Sequence, residues 1–286
     1  MAAIILPISL AFLMFTVGLR LSFGHLAGTA AKPGPLLAGL AVQMVVLPAL
    51  AWGIIHLFRL PPEAALGLMI IAVCPGGITS NYVSLLAGAD VALSTAMTLV
   101  TSLAASLSIP LLLGLSGIEV GATSLVRMAV VMTAVTAVPL FLGMAPRAFA
   151  PATAERISRA TDKLAKAVFA GIVLATFWQN REALITSAAD TGPAVVLLNV
   201  TAVLIALATR FLPGVSRPQS LAIAVETGLQ NAAIAIFICS SLLGRPELAV
   251  PALIYAVVMN VTALVLVAVS RRLGAQNDFA IGRTAT

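Results

Sequence analysis

Cys74-Pro75-Gly76-Gly77-Ile78-Thr79-Ser80-Asn81 interrupts an apolar segment read at 63–87, and Glu226-Thr227-Gly228-Leu229-Gln230-Asn231 interrupts another read at 218–243. Proline lacks a backbone donor and paired glycines give little helix stability, so a helix entering the first cluster should break there. Backbone that leaves helical geometry at membrane depth is tolerated only where it is buried in protein or lines a watery cavity. Two such clusters therefore point to a cavity between helices.

The surrounding chain supplies the membrane. Of 286 residues, 60% are hydrophobic and 9% charged, and the mean hydropathy is +1.10. A soluble domain carries about 25% charged residues, so this composition could not cover a soluble surface. Runs such as Leu36–Leu57 are continuously apolar and do not alternate, which argues against an outer-membrane barrel. The net charge of +6 is scattered at segment ends with no basic face and interleaved aromatics, so nucleic acid is not an expected partner. Cys74 and Cys239 both lie in apolar sequence, which excludes a disulfide framework or a CxxC metal cluster. The N-terminus has no basic n-region and reads as a first span, not a cleavable signal.

Polar punctuation divides the chain into nine predicted spans near 2–22, 35–58, 63–87, 91–115, 122–145, 160–180, 192–211, 218–243 and 247–270. The one long connection, Ala145 to Lys166, is expected to become an amphipathic helix start from Ala154. In a nine-span layout, twelve basic residues share the C-terminal side: Arg20, Lys32, Arg147, Arg156, Arg159, Lys163, Lys166, Arg210, Arg217, Arg271, Arg272 and Arg283. Arg59, Arg127, Arg181 and Arg245 take the other. The positive-inside rule then places the N-terminus outside and the C-terminus, with a tail over 271–286, in the cytoplasm. An error of one span would mix the two sets, so the asymmetry itself supports nine.

The interrupted segments also correspond in layout. Pro62 opens one and Pro218 the other, and Leu85-Leu86 before Asp90 matches Leu242-Leu243 before Glu247 at an offset of 157. The third and eighth of nine spans differ by five, so units of five helices would be inverted in the membrane, with the first helix missing. Two discontinuous helices in corresponding positions of an inverted repeat are a pointer to a midplane transport site.

Glu226 is the one acid of ten placed well inside a span. It lies eight residues after Pro218, about 12 Å along a helix and close to the bilayer centre. A lone carboxylate at that depth is costly, and no Lys, Arg or His is expected at comparable depth, so its partner is a metal ion or a proton. Sodium takes hard oxygen ligands, and Ser80, Asn81, Ser94, Thr98, Gln230 and Asn231 surround the breaks, with Gln43 a further carboxamide in the first half. Ser94 and Thr98, four apart, share a helix face.

At these residues the chain resembles the bile acid:sodium symporter family, in its bacterial branch, through Cys74-Pro75-Gly76-Gly77-x-x-Ser80-Asn81 and Glu226-x-Gly228-x-Gln230-Asn231. The likeness covers nearly the whole chain. It implies an all-α polytopic inverted-repeat transporter whose broken helices cross in a core domain (about 35–115 and 192–270) beside a panel domain (about 1–22 and 122–180). It implies one sodium ion at Ser80, Asn81, Ser94, Thr98 and Glu226, and a second at Gln43, Glu226 and Gln230 with the backbone oxygens of Thr227 and Leu229. Members of the family often have ten helices, so this chain resembles the nine-helix liver type that lacks the first. Ile78 stands where Thr is frequent, with the hydroxyl displaced to Thr79, and Met259 stands where His commonly precedes the Asn of the last helix, here Asn260.

The function expected is sodium-coupled import of a bile-acid-like or small carboxylate anion across a bacterial inner membrane by alternating access. Half-helix N-termini favour an anion, with Asn231, Asn81, Thr79 and Asn260 as candidate substrate contacts. The protein is expected to be a monomer or weak dimer. Proton coupling through Glu226 is the alternative within the same fold. A membrane receptor would normally carry a soluble signalling domain, and an intramembrane enzyme would need a catalytic arrangement, whereas His25 and His56 sit near span ends.

Overall fold

The computed structural model describes residues 2–21, 29, 33–77, 79–117 and 125–284, and among them the regular structure is helical. The chain runs through α1 (Ala2–Gly18), α2 (Pro33–Phe58), α3 (Pro62–Val73), α4 (Ser80–Ala87), α5 (Val91–Leu115) and α6 (Leu125–Phe149). It continues through α7 (Pro151–Gln179), α8 (Arg181–Ala208), α9 (Arg217–Gly228), α10 (Ala232–Phe237, extended by a π-helical turn Ile238–Leu242) and α11 (Val250–Thr284). Ile78, Lys32 and His25 lie outside the described residues.

Five helical stretches are individually long and apolar enough to cross a bilayer: α2, α5, α6, Arg181–Phe211 and Pro246–Arg272. The remaining expected spans fall on α1, on α7, and on the pairs α3–α4 and α9–α10. Large apolar side chains such as Ile8, Leu111, Leu174, Leu204 and Leu264 stand exposed on outer helix faces, a surface suited to lipid.

Prolines shape two helices. Pro48 and Pro139 cannot donate, and their rings crowd the carbonyls four residues back. The chain answers with π-helical turns at Val42–Val46 and Thr133–Ala137, where Leu47 and Val138 donate to the carbonyls of Val42 and Thr133, five residues back. The first of these wide turns carries Gln43.

The helix expected from Ala154 is present and begins three residues earlier, so little of the connection expected from Ala145 to Lys166 is left. α6 continues to Phe149, Ala150 alone leaves helical geometry, and α7 begins at Pro151. Proline at a first helical position and strong helix formers behind it explain the early start. Glu155 clamps the reversal, accepting from Arg147 at 3.1 Å and Arg159 at 3.0 Å. Likewise α8 starts at Arg181, not near 192, and the chain read as a tail from 271 continues α11 to Thr284.

Helix packing sorts the elements around one gap. α1 packs on α6 and α7, with Gly18 and Gly143 at the crossing of α1 and α6. A Cβ on Gly143 would lie 3.0 Å from the Gly18 Cα, so the two backbones approach as small residues allow. α8 packs on α9 and α11, while α5 packs on α3, α4 and α9.

Candidate functional site

The two breaks meet each other. Cys74 and Leu229 are extended, and Gly76 and Gln230 form an antiparallel bridge. The Gly77 N–H donates to the Leu229 carbonyl at 2.6 Å, and the Asn231 N–H donates to the Pro75 carbonyl at 2.9 Å. Backbone groups orphaned at four helix ends thus satisfy one another away from water. Asn231 also caps α10, its Oδ1 accepting from the Ile234 N–H at 3.2 Å.

Gly76 is bare because Glu226 occupies the space its side chain would need: a Cβ there would overlap Glu226 Oε1. Glu226 is fully buried and makes no ion pair among the described residues. Thr98 Oγ1 donates to its Oε1 at 2.6 Å, and Ser94 Oγ lies 3.0 Å from its Oε2. Ser80 stands beside the same carboxylate, its hydroxyl 2.9 Å from the Gly77 carbonyl. Ser94 Oγ is also 2.9 Å from Asn81 Oδ1, and Thr95 Oγ1 is 3.4 Å from that atom. One hydroxyl proton on Ser94 cannot serve both the carboxylate and the Asn81 oxygen. A cation among these oxygens would serve both.

Behind this cluster lies a second. Gln43 Nε2 donates to the Cys74 carbonyl at 3.1 Å and to Gln230 Oε1 at 3.0 Å, and Gln230 Nε2 donates to the Thr227 carbonyl at 2.7 Å. Gln43 Oε1 and Thr227 Oγ1 are buried oxygens without a hydrogen-bond partner. A buried acceptor left unpaired costs about 1–3 kcal/mol, and a small hard cation is a species that such oxygens can hold.

A cavity of about 760 Å³ opens beside the first cluster, bounded by α1, α4, α5 and α7. Thr79, Asn81, Thr95 and Thr98 line it, so Asn81 and Thr98 face the cavity and the carboxylate cluster together. Asn260 lies apart: it is exposed, bonded to the Ala256 carbonyl of its own helix at 2.6 Å, and absent from the cavity wall. Met259 beside it is buried.

Three residues without a place in the sequence reading hold the end of α9. Asn199 Nδ2 and the Tyr255 hydroxyl both donate to the Gly228 carbonyl, at 2.8 and 3.1 Å, and Thr262 Oγ1 donates to Asn199 Oδ1 at 2.6 Å. A lone carboxamide and a lone phenol in apolar helices were the available signals. Arg20 and Lys166 also line the cavity, although by sequence they mark topology only.

Residues 7–187, more than half of the chain, match the model of the sodium bile acid symporter family. The chain is 28% identical over 261 residues to the "Uncharacterized sodium-dependent transporter YocS" of Bacillus subtilis, covering 91% of this chain and 81% of that protein. It is 27% identical over 268 residues to the "Probable sodium/metabolite cotransporter BASS1, chloroplastic" of Arabidopsis thaliana, covering 93% of this chain and 66% of the relative's length. Over 80 residues it is 42% identical to the mouse P3 protein, 28% of this chain and 17% of that one. A membrane helix bundle, an uncompensated carboxylate ringed by hard oxygens and this match agree, and the chain belongs to the sodium bile acid symporter family.

Proposed function

We propose that this protein is a sodium-coupled symporter that imports a small organic anion by alternating access. The observation that carries the proposal is the shared wall: Asn81 and Thr98 contact the Glu226 cluster on one side and the cavity on the other. An ion that pulls these two side chains into place shapes the cavity, so binding of ion and anion is coupled through the same atoms. The relatives named as sodium-dependent transporters support the choice of sodium.

Two ions take part. Ser80, Asn81, Ser94, Thr98 and Glu226 hold the first. Gln43, Glu226 and Gln230, with the backbone oxygens of Thr227 and Leu229, hold the second, a site supported by the unpartnered Gln43 Oε1. Both together outweigh the Glu226 charge by one and favour an anion. Thr79 and Asn81 contact the substrate at the head of α4, whereas Asn231 acts through the break by capping α10. α1, α6 and α7 form the panel and the other helices the core, and rocking of one against the other exposes the cavity alternately. Nine passages, with the N-terminus outside and the C-terminus in the cytoplasm, follow from the basic residues at helix ends.

The test is uptake of labelled anions into proteoliposomes under an inward sodium gradient, a proton gradient or neither. Sodium-driven uptake that is lost in Glu226→Gln is the expected result. Uptake driven by protons alone transfers the coupling to protonation of Glu226, and uptake unchanged in Glu226→Gln removes the carboxylate from the mechanism.

A further inference from the structure

We propose that a second pocket, where the end of α4 meets the start of α9 and the end of the apolar part of α11, holds the phosphate group of an anionic phospholipid between Arg217 and Arg271. The proposal goes beyond the transport reading and does not depend on what the chain carries. The pocket measures about 350 Å³, and Leu85, Leu86, Arg217, Pro218, Ser270 and Arg271 are among its walls. Both guanidinium-bearing residues are exposed. The Arg217 side chain makes no hydrogen bond or ion pair with the described residues. Arg271 Nε donates to the Leu86 carbonyl at 2.9 Å, which fixes the guanidinium over the end of α4 and leaves its two terminal nitrogens for a ligand.

The acceptors around the pocket are already engaged. At the end of α4 the Gly88 and Ala89 N–H groups donate to the carbonyls of Leu85 and Ser84. The Pro218 carbonyl accepts from the Asp90 N–H at 3.0 Å, and the Arg217 carbonyl from the Ser220 hydroxyl at 3.0 Å. No carboxylate lines the pocket among the described residues, and Asp90 beside it caps α5, its Oδ1 accepting from the Leu93 N–H at 3.0 Å. What remains is two sets of guanidinium donors and a positive charge, and such planar forks suit the oxygens of a phosphate. Position selects a lipid over a free phosphate. The apolar stretch Pro246–Arg272 ends here, so the guanidiniums stand where hydrocarbon gives way to headgroups. Leu85, 63% exposed, gives an acyl chain an apolar rim to lie against. Shortly before α9 the Arg210 guanidinium covers the exposed Phe211 ring at 4.7 Å, a basic and aromatic pair suited to the same interface.

Purified protein in neutral maltoside micelles tests this by thermal shift and by native mass spectrometry, with added phosphatidylglycerol, phosphatidylcholine, glycerol phosphate or inorganic phosphate. Phosphatidylglycerol should bind and stabilise the wild type saturably, and the other three should not at the same concentration. Arg217→Gln and Arg271→Gln should each weaken that binding about fivefold or more, and together reduce it to the level of phosphatidylcholine. Arg217→Lys should keep the preference for the anionic lipid. Arg217→Gln melts with the wild type in the lipid-free micelle, since its guanidinium holds nothing in the fold, which separates recognition from folding even if Arg271→Gln loosens α4. Arg272→Gln removes the same charge one residue outside the pocket wall and should leave binding unchanged. Equal binding of the two lipids, undiminished binding in the double variant, or an equal loss in Arg272→Gln overturns the proposal. Stabilisation by glycerol phosphate or inorganic phosphate as strong as by phosphatidylglycerol overturns the assignment to a lipid.

Discussion

Gly76→Ala should damage sodium binding more than any other single-methyl change at the breaks. A Cβ there overlaps Glu226 Oε1 and lies 2.5 Å from the carboxyl carbon and 3.1 Å from Cγ. Carbon contacts settle near about 3.5 Å, so the carboxyl group must retreat by about 1 Å. Such a retreat strains the contacts to Thr98 at 2.6 Å and Ser94 at 3.0 Å together. Hydrogen bonds to charged groups contribute about 1.5–3 kcal/mol each, so displacing the carboxylate from both costs about 3–6 kcal/mol, or about a hundred- to a ten-thousandfold in ion affinity. Gly77→Ala is the internal control. Its Cβ meets the Leu229 and Gln230 carbonyls at 3.2 Å, a clash relieved by a few tenths of an ångström. That cost stays within about 1.5 kcal/mol. The assay is a sodium titration of thermal stability for both variants beside the wild type, with the sodium-free Tm reporting folding. Gly76→Ala binding sodium as tightly as the wild type, or Gly77→Ala faring worse than Gly76→Ala, refutes the placement of the carboxylate.

The network behind α9 gives a graded series: Tyr255→Phe removes one of two donors to the Gly228 carbonyl and should cost about 1 kcal/mol, while Asn199→Ala removes the other donor together with its bond from Thr262, whose hydroxyl keeps the Val258 carbonyl, and should cost about 1–3 kcal/mol. Sodium affinity should fall in the same order, and an affinity unmoved by Asn199→Ala would separate this network from the ion sites. At the reversal between α6 and α7, hydrogen bonds from Arg159 first and Arg147 second hold the Glu155 carboxyl below its ordinary value of 4.5. Its folded-state value is depressed, so its contribution is present above about pH 4.5 and is lost as pH falls through the folded value. The Tm difference between wild type and Glu155→Gln should therefore be flat from neutral pH down to that point and shrink below it, and a difference that grows on acidification contradicts the clamp.

The breaks were readable because Pro75-Gly76-Gly77 and Glu226 have no business in apolar helices unless something compensates them. Ser80, Asn81, Ser94 and Thr98 followed, since hard oxygens flank the breaks and Ser94 and Thr98, four apart, share a helix face; the structure sets Thr98, Ser94 and Ser80 beside Glu226 and Asn81 beside Ser94. What pairs with what was not readable. Nothing local tells that Gly76 bridges Gln230, or that Asn199 and Tyr255 converge on the Gly228 carbonyl, because these are contacts between distant segments. The helix after Ala154 was legible, but the tightness of the reversal at Ala150 was hidden for a different reason. Charged, alanine-rich sequence after an apolar run looks like a solvated loop by hydropathy, yet its residues are strong helix formers and Pro151 starts a helix readily. Arg20 and Lys166 read as topology markers because positive-inside counting uses charge number alone and not the face from which a charge projects.

The shared wall also limits what the mechanism can be. If sodium raises the affinity for the anion by some factor, linkage requires the anion to raise the affinity for sodium by the same factor. On the proposed mechanism both effects pass through Asn81 and Thr98, the side chains that touch the carboxylate cluster and the cavity alike. On the proposed coupling, a change at Thr98 should therefore alter the ratio between the anion's affinities with and without sodium, which paired binding titrations in sodium and in potassium would read.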